Sequence, residues 1–103
     1  MTLITMDVLD VVMNAPADDP AWGLRICEES GHGPGSIYPA LERMLRFGWL
    51  EDSWEEPQPE DRPRRRYYTI TSAGRAAYRE ANAARDARKS ASWHLAPRPE
   101  GRA

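Results

Sequence analysis

The sequence predicts a mostly α-helical winged helix-turn-helix with a small β-hairpin and a C-terminal dimerisation helix. Three observations predict it. Two short helical patterns flank a glycine-rich turn, Gly31-His32-Gly33-Pro34-Gly35. After the second pattern the hydrophobic period shortens to two over a pair of short segments. The chain then returns to helix in an alanine-rich stretch behind Thr71 and Ser72. Helix, helix, tight turn, helix, hairpin and long helix, in that order, make a helix-turn-helix followed by a wing.

The first helix is predicted over 5–14. Met6, Leu9 and Met13 recur at helical spacing, Val8 and Val12 widen the stripe, and Thr5 is the candidate cap. Asp7 and Asp10 lie early, where the helix dipole favours them. The run Ala15-Pro16-Ala17-Asp18-Asp19-Pro20 breaks the chain. Asp19 then offers a carboxylate cap and Pro20 a first helical residue, which predicts a second helix over 20–30. Trp22 and Ile26, four apart, share one of its faces, and Gly31 ends it.

A third helix follows over 36–47, with Ser36 as cap, Pro39 in the first turn and Gly48 as the stop. Ile37, Leu41, Met44 and Leu45 form its apolar stripe, and Ser36, Pro39, Arg43 and Arg46 lie opposite. Residues 49–55 alternate, which points Leu50 and Trp54 inward and places Asp52, of the same parity, near an edge. The proline-rich stretch 57–63 forms the tip of the hairpin, and residues 66–70 its second strand. Tyr67 and Tyr68 alternate, one inward and one outward. The fourth helix, 72–94, carries Ala73, Ala77, Ala81 and Ala84 along one side. Small side chains let helices approach closely, and this face is read as packing on Met6, Leu9 and Met13 of a second copy. Trp93 caps that interface, and a free solvated helix is the alternative. The organisation is therefore a winged helix-turn-helix unit over 1–71, a dimerisation helix over 72–94 and a disordered tail over 95–103.

The 103 residues suit one domain, and 41% hydrophobic residues suffice to fold it. No run is apolar enough to span a membrane, and no basic stretch precedes an apolar one at the N-terminus, so neither a membrane nor a signal peptide is expected. The single cysteine, Cys27, fits a reducing cytoplasm and reads as a small buried side chain. No metal and no cofactor are expected: His32 has no second ligand at metal spacing, and no nucleophile set or phosphate loop occurs. A catalytic role is therefore not expected.

The net charge of −2 hides a segregation. Residues 1–61 hold 13 acidic residues against 3 arginines, whereas residues 62–103 hold 11 basic residues against 3 acidic ones. Segregated charge points to a polyanion partner, or to pairing of the acidic half with the basic half. A helix in the major groove meets base edges with a distinctive donor and acceptor pattern, its N-terminal end leading. Here Ser36, Tyr38 and Pro39 occupy that end, with Arg43 and Arg46 behind. Arg62, Arg64, Arg65 and Arg66 at the wing can reach phosphates. Each has a plainer alternative: Tyr38 can flank the core, Arg43 and Arg46 can pair with Glu42, and Arg64 and Arg65 can neutralise Glu55 and Glu56.

The stretches Trp22-Gly23-Leu24-Arg25-Ile26, Gly35-Ser36-Ile37-Tyr38-Pro39-Ala40-Leu41-Glu42-Arg43-Met44, Gly48-Trp49-Leu50-Glu51 and Arg62-Pro63-Arg64-Arg65-Arg66-Tyr67-Tyr68-Thr69-Ile70-Thr71-Ser72-Ala73-Gly74 together resemble the PadR family of bacterial transcriptional regulators. The resemblance covers about residues 3–80. It implies a winged helix-turn-helix, a repressor in most members, and a homodimer built by the first and last helices on double-stranded DNA. Carried over by motif, Ser36 and Tyr38 contact backbone or bases, and the wing arginines grip phosphate. The short C-terminal portion resembles the smaller members, some of which bind flat aromatic compounds between subunits. A small aromatic effector beside Trp93 is the corresponding secondary expectation. Few cations on the third helix, with Glu42 among them, depart from a simple DNA-reading surface. They support a rival reading, a winged-helix module that binds protein rather than DNA.

Overall fold

The computed structural model describes residues 1–59 and 61–95, without the side chains of 90–95. The side chain of Trp93 and the tail from residue 96 onward therefore lie outside the described residues. Helix α1 (Leu3–Asn14) starts earlier than its apolar stripe suggests, because Thr2 rather than Thr5 caps it. The Thr2 hydroxyl accepts from the Thr5 amide at 3.3 Å. Strand β1 (Ala21–Trp22) then leads directly into α2 (Gly23–Ser30), which ends at Gly31 with φ of 80°.

Here the expectation of a helix beginning at Pro20 is overturned. Ala21 and Trp22 pair antiparallel with Tyr68 and Tyr67. Local capping signals favour a helix, but the free edge of a distant strand satisfies these backbone groups. Proline, which has no N–H to offer a ladder, fits just ahead of that edge strand.

Helix α3 (Pro34–Arg46) also starts a turn earlier than predicted, with Gly33 as its cap residue and Pro34 at its first position. Pro39 consequently lies inside the helix and offers no N–H to the carbonyl of Gly35, an exposed residue where water can serve. The helix closes in a Schellman motif. Trp49 N donates to Met44 O at 2.9 Å and Gly48 N to Leu45 O at 3.0 Å, with Gly48 at φ 76°.

Strands β2 (Leu50–Trp54) and β3 (Arg66–Ile70) form the wing, and the sheet order is β1-β3-β2. Thr71 caps α4 (Ser72–Leu95): its hydroxyl accepts from Gly74 N at 3.0 Å and donates to Gly48 O at 2.6 Å. The helix therefore includes Leu95, the first residue of the expected tail.

One core holds these pieces together. Val8 and Leu9 of α1, Ile26 of α2, and Ile37, Leu41 and Met44 of α3 are fully buried, and Leu50 and Tyr68 of the sheet close it from below. Side chains of this kind each contribute roughly 1.5–3 kcal/mol on burial. Trp54 is a second correction, since it is 58% exposed rather than facing the core. Only the first residue of β2 is buried; the rest of the hairpin projects beyond the helices, so alternation along it does not define an inside.

Candidate nucleic-acid interface

The buried face of α3, Ile37, Ala40, Leu41 and Met44, fixes what the opposite face presents. Gly35, Pro39, Glu42 and Arg46 recur there at i, i+4, i+7 and i+11, and all four are exposed. Ser36, exposed, and Arg43, half-buried, flank this ridge on one side. Tyr38, 41% exposed, flanks it on the other. Its ring lies against the backbone of α2 at Gly23. A Cβ on Gly23 would overlap the Tyr38 hydroxyl and come within 2.7 Å of two ring carbons. Glycine at 23 is thus what admits this tyrosine. The face expected from sequence omits Gly35, because starting the helix at Ser36 hides the first turn, and it has Arg43 where the ridge has Glu42.

The wing is held by a half-buried acid. The Glu55 side chain is 12% exposed and takes both Nη atoms of Arg62, at 2.8 and 3.1 Å. It also accepts from Arg65 N at 3.3 Å and Tyr67 Oη at 3.2 Å. The Arg62 hydrogen bonds lead in depressing the Glu55 carboxyl to about 2. Tyr67, half-buried, is thus tied to the wing, whereas Tyr68 is the core tyrosine, its hydroxyl pushed up by burial.

The four wing arginines fall into two pairs. Arg62 is engaged by Glu55, and Arg66 binds Asp52 through Nε at 2.7 Å and Nη2 at 2.6 Å. Arg66 also reaches α3, donating from Nη1 to Glu42 Oε1 at 3.0 Å. Arg64 and Arg65 have no carboxylate partner among the described residues. Arg64 donates Nε to the Glu55 carbonyl at 2.7 Å and is exposed. The Arg65 guanidinium stacks 4.1 Å above the Trp22 ring. Between wing, α3 and the start of α2 lies a groove of about 530 Å³, lined by Tyr38, Leu24, Trp54, Arg64 and Arg65 among others. Trp22 is the neighbour that sequence reasoning missed. Its role depends on β1, which carries no strong local signal in two residues.

The residues expected at a dimer interface divide by depth. Leu9 is fully buried in the subunit's own core, which leaves it nothing to offer a partner, and Met6 is 5% exposed. Met13 is half-buried and accepts from Arg75 at 3.5 Å. Ala77 and Ala81 are half-buried and Ala84 is exposed. The first turns of α4 lie on α1 of the same chain, where Tyr78 donates to Asp10. Farther along, Met6, Ala81, Ala84 and Arg85 line a cleft with the exposed Met1 and Leu3. His32 in the turn bonds Asp7 of α1 at 2.7 Å, and the Cys27 thiol is pushed up by burial, away from a reactive thiolate. Among the described residues there is no cluster of metal ligands, and no helix is long and apolar enough to cross a membrane.

Comparison with known proteins places this arrangement. Residues 17–80 match the model of the transcriptional regulator PadR-like family. No curated protein sequence matches the chain. Among solved structures, a PadR family transcription regulator from hypervirulent Clostridium difficile superposes with a TM-score of 0.76 at 16% identity, covering 91% of this chain and 98% of that one. A PadR-like transcriptional regulator from Bacillus cereus gives 0.71 at 20% identity, covering 90% of each chain. The PcaV transcriptional regulator from Streptomyces coelicolor, solved with its natural ligand, gives 0.72 at 23% identity, covering 95% of this chain and 63% of that one. At these identities the likeness is one of fold.

Proposed function

Because this chain belongs to the PadR-like family of transcriptional regulators, we propose that it is a cytoplasmic repressor that binds a roughly palindromic operator as a homodimer. The observation that carries this reading is the pair Arg64 and Arg65, without carboxylate partners among the described residues, beside the exposed ridge of α3. The ridge enters the major groove led by Gly35, Ser36 and Tyr38, and Arg46 follows along the groove wall. Arg64 and Arg65 meet the flanking phosphates, while Arg62 and Arg66 hold the wing in shape. The organisation is a DNA-binding unit over 1–71 and a dimerisation helix behind it. The cleft between α1 and α4, with Met1 and Leu3 exposed beside it, is the surface a second copy would cover. Two recognition helices then lie ~34 Å apart, one helical turn of DNA. Repression follows from obstruction of polymerase.

Fluorescence anisotropy tests the reading, with the duplex upstream of the protein's own gene against a scrambled duplex over a salt series. The expected result is tight, salt-dependent binding that prefers the native duplex. The double variant Arg64→Ala, Arg65→Ala weakens binding to both duplexes and flattens the salt slope by about 0.9 for each phosphate that is no longer neutralised. Unchanged affinity and slope in that variant would contradict the wing assignment. Absence of binding by the wild type at low salt would favour the rival, a winged-helix module for protein partners.

A further inference from the structure

Glu42 is the one charged member of the α3 ridge that the DNA-binding reading leaves without work. It stands between Pro39 and Arg46 on the face opposite the core, its side chain 52% exposed. A carboxylate only accepts hydrogen bonds. Its Oε1 accepts from Arg66 Nη1 at 3.0 Å, which leaves Oε2 open on the ridge. Arg66 does not neutralise it fully, because the same guanidinium serves Asp52 at 2.6 and 2.7 Å. The three groups together carry one net negative charge. Such a charge on a surface that faces a polyanion lowers affinity, unless the target supplies a donor to it.

The major groove offers few donors. Guanine shows two acceptors and thymine one acceptor beside a methyl group. Adenine sets its N6 amino donor next to the N7 acceptor, which repels a carboxylate. Cytosine presents its N4 amino group alone. We propose that Glu42 is a specificity-determining residue that accepts from the N4 amino group of one cytosine in each half-site. Arg66 is its positioning residue: it holds Oε1 from the wing and turns Oε2 toward the groove. The same charge rejects guanine and thymine at that base pair by opposing acceptor to acceptor, so discrimination has an attractive and a repulsive part. This inference depends on the DNA-binding reading and adds one letter of the operator to it.

The test is selection from a duplex library randomised across the operator length, with wild type, Glu42→Gln, Glu42→Ala and Arg66→Ala. Thermal melts of each variant show that it is folded. The wild type is expected to enrich cytosine at one position per half-site by roughly 5- to 150-fold over the other bases. Glu42→Ala loses that preference, keeps the others and binds scrambled duplex at least as well. Glu42→Gln, whose amide suits the paired N6 and N7 of adenine, moves the preference from cytosine to adenine. Arg66→Ala blurs the same position and, because the Arg66–Asp52 pair also holds the wing, weakens binding to every duplex, while the salt slope stays unchanged, as befits a residue that touches no phosphate. Enrichment of the same bases by Glu42→Ala and wild type would overturn the inference while leaving DNA binding intact. A slope lowered by about 0.9 per site in Arg66→Ala would make that arginine a phosphate ligand and overturn its positioning role. Failure of the wild type to bind any duplex would overturn the DNA-binding reading itself.

Discussion

Replacing Gly74 with alanine sets helix propensity against packing, and the two predict opposite signs. Gly74 is the third residue of α4, where alanine would be favoured by up to about 1 kcal/mol on propensity alone. The position is buried, however. A Cβ there would overlap the carbonyl oxygen of Trp49, lie 2.8 Å from Ile70 Cγ1 and lie 3.0 Å from the Trp49 carbonyl carbon. The obstacle is backbone, and it is fixed: Trp49 O accepts from Thr71 N at 3.0 Å, one residue before α4 begins. Relief requires either the loss of that hydrogen bond, at about 1 kcal/mol, or a shift of the first turn of α4 off the sheet. Overpacking of this kind costs typically 1–3 kcal/mol. Set against the propensity gain of up to about 1 kcal/mol, Gly74→Ala is expected to destabilise the domain by up to about 2 kcal/mol. For a domain near this size, that lowers the midpoint of a thermal melt by up to roughly 16 °C. Gly35→Ala is the matched control, since nothing lies within 4 Å of its added Cβ in α3, and it should gain up to about 1 kcal/mol. A Gly74→Ala protein that melts above wild type, with Gly35→Ala behaving as expected, would refute the close approach of α4 to Trp49.

Two further outcomes follow from the wing and from α2. Glu55 has its carboxyl depressed to about 2 by Arg62, so its contribution to stability is complete above the ordinary carboxyl range, near 4.3, and is lost as pH falls through about 2. Glu55→Gln should melt below wild type at neutral pH, with the difference closing between about pH 4.3 and 2; a constant difference across that window would show that the ion pair does not hold the wing. Gly23→Ala pushes against the movable end of Tyr38 rather than against backbone. It should swing that ring from its place at a cost near 1 kcal/mol in rotamer strain, weakening duplex binding in anisotropy far more than it lowers the melting temperature; equal binding would separate Tyr38 from the DNA.

Much of this fold is legible in sequence because its strongest signals are local. The stripe Ile37, Leu41 and Met44 predicts the buried face of α3 directly, and Gly31 and Gly48 end their helices through a left-handed backbone conformation that glycine adopts freely. The failures occur where a distant partner decides. Pro20 looks like a helix start until β3 offers its edge to Ala21 and Trp22. Trp54 looks inward by parity, but the hairpin has left the core by that point, so period two persists without an interior to face. Leu9 looks available to a second copy because a stripe does not say which neighbour covers it; the core of the same chain does. At the interface, the arginine run at the wing is readable as a run, but which arginines meet carboxylates is not. That choice depends on the register that sets Trp54 opposite Arg66 and Asp52 opposite Tyr68.

The same register explains how a chain of net charge −2 can present a surface for DNA. Pairing of the acidic half with the basic half and binding of a polyanion look, in the sequence, like competing readings of one charge pattern. On the DNA-binding reading proposed above, they are successive layers of one device in the folded wing. Glu55 and Asp52, from the acidic half, engage Arg62 and Arg66 and so set the position of the β2–β3 turn against α3. Those pairs fix backbone that carries Arg64 and Arg65, whose side chains meet a carbonyl and an aromatic face instead of carboxylates. A guanidinium held by a neutral partner keeps its charge for an external anion and has already lost part of its conformational freedom. Two arginines ordered in this way can outweigh a larger number of mobile ones, because less entropy is lost when phosphate binds. Net charge therefore says little about this surface; what matters is which cations the fold leaves without an acid, and where.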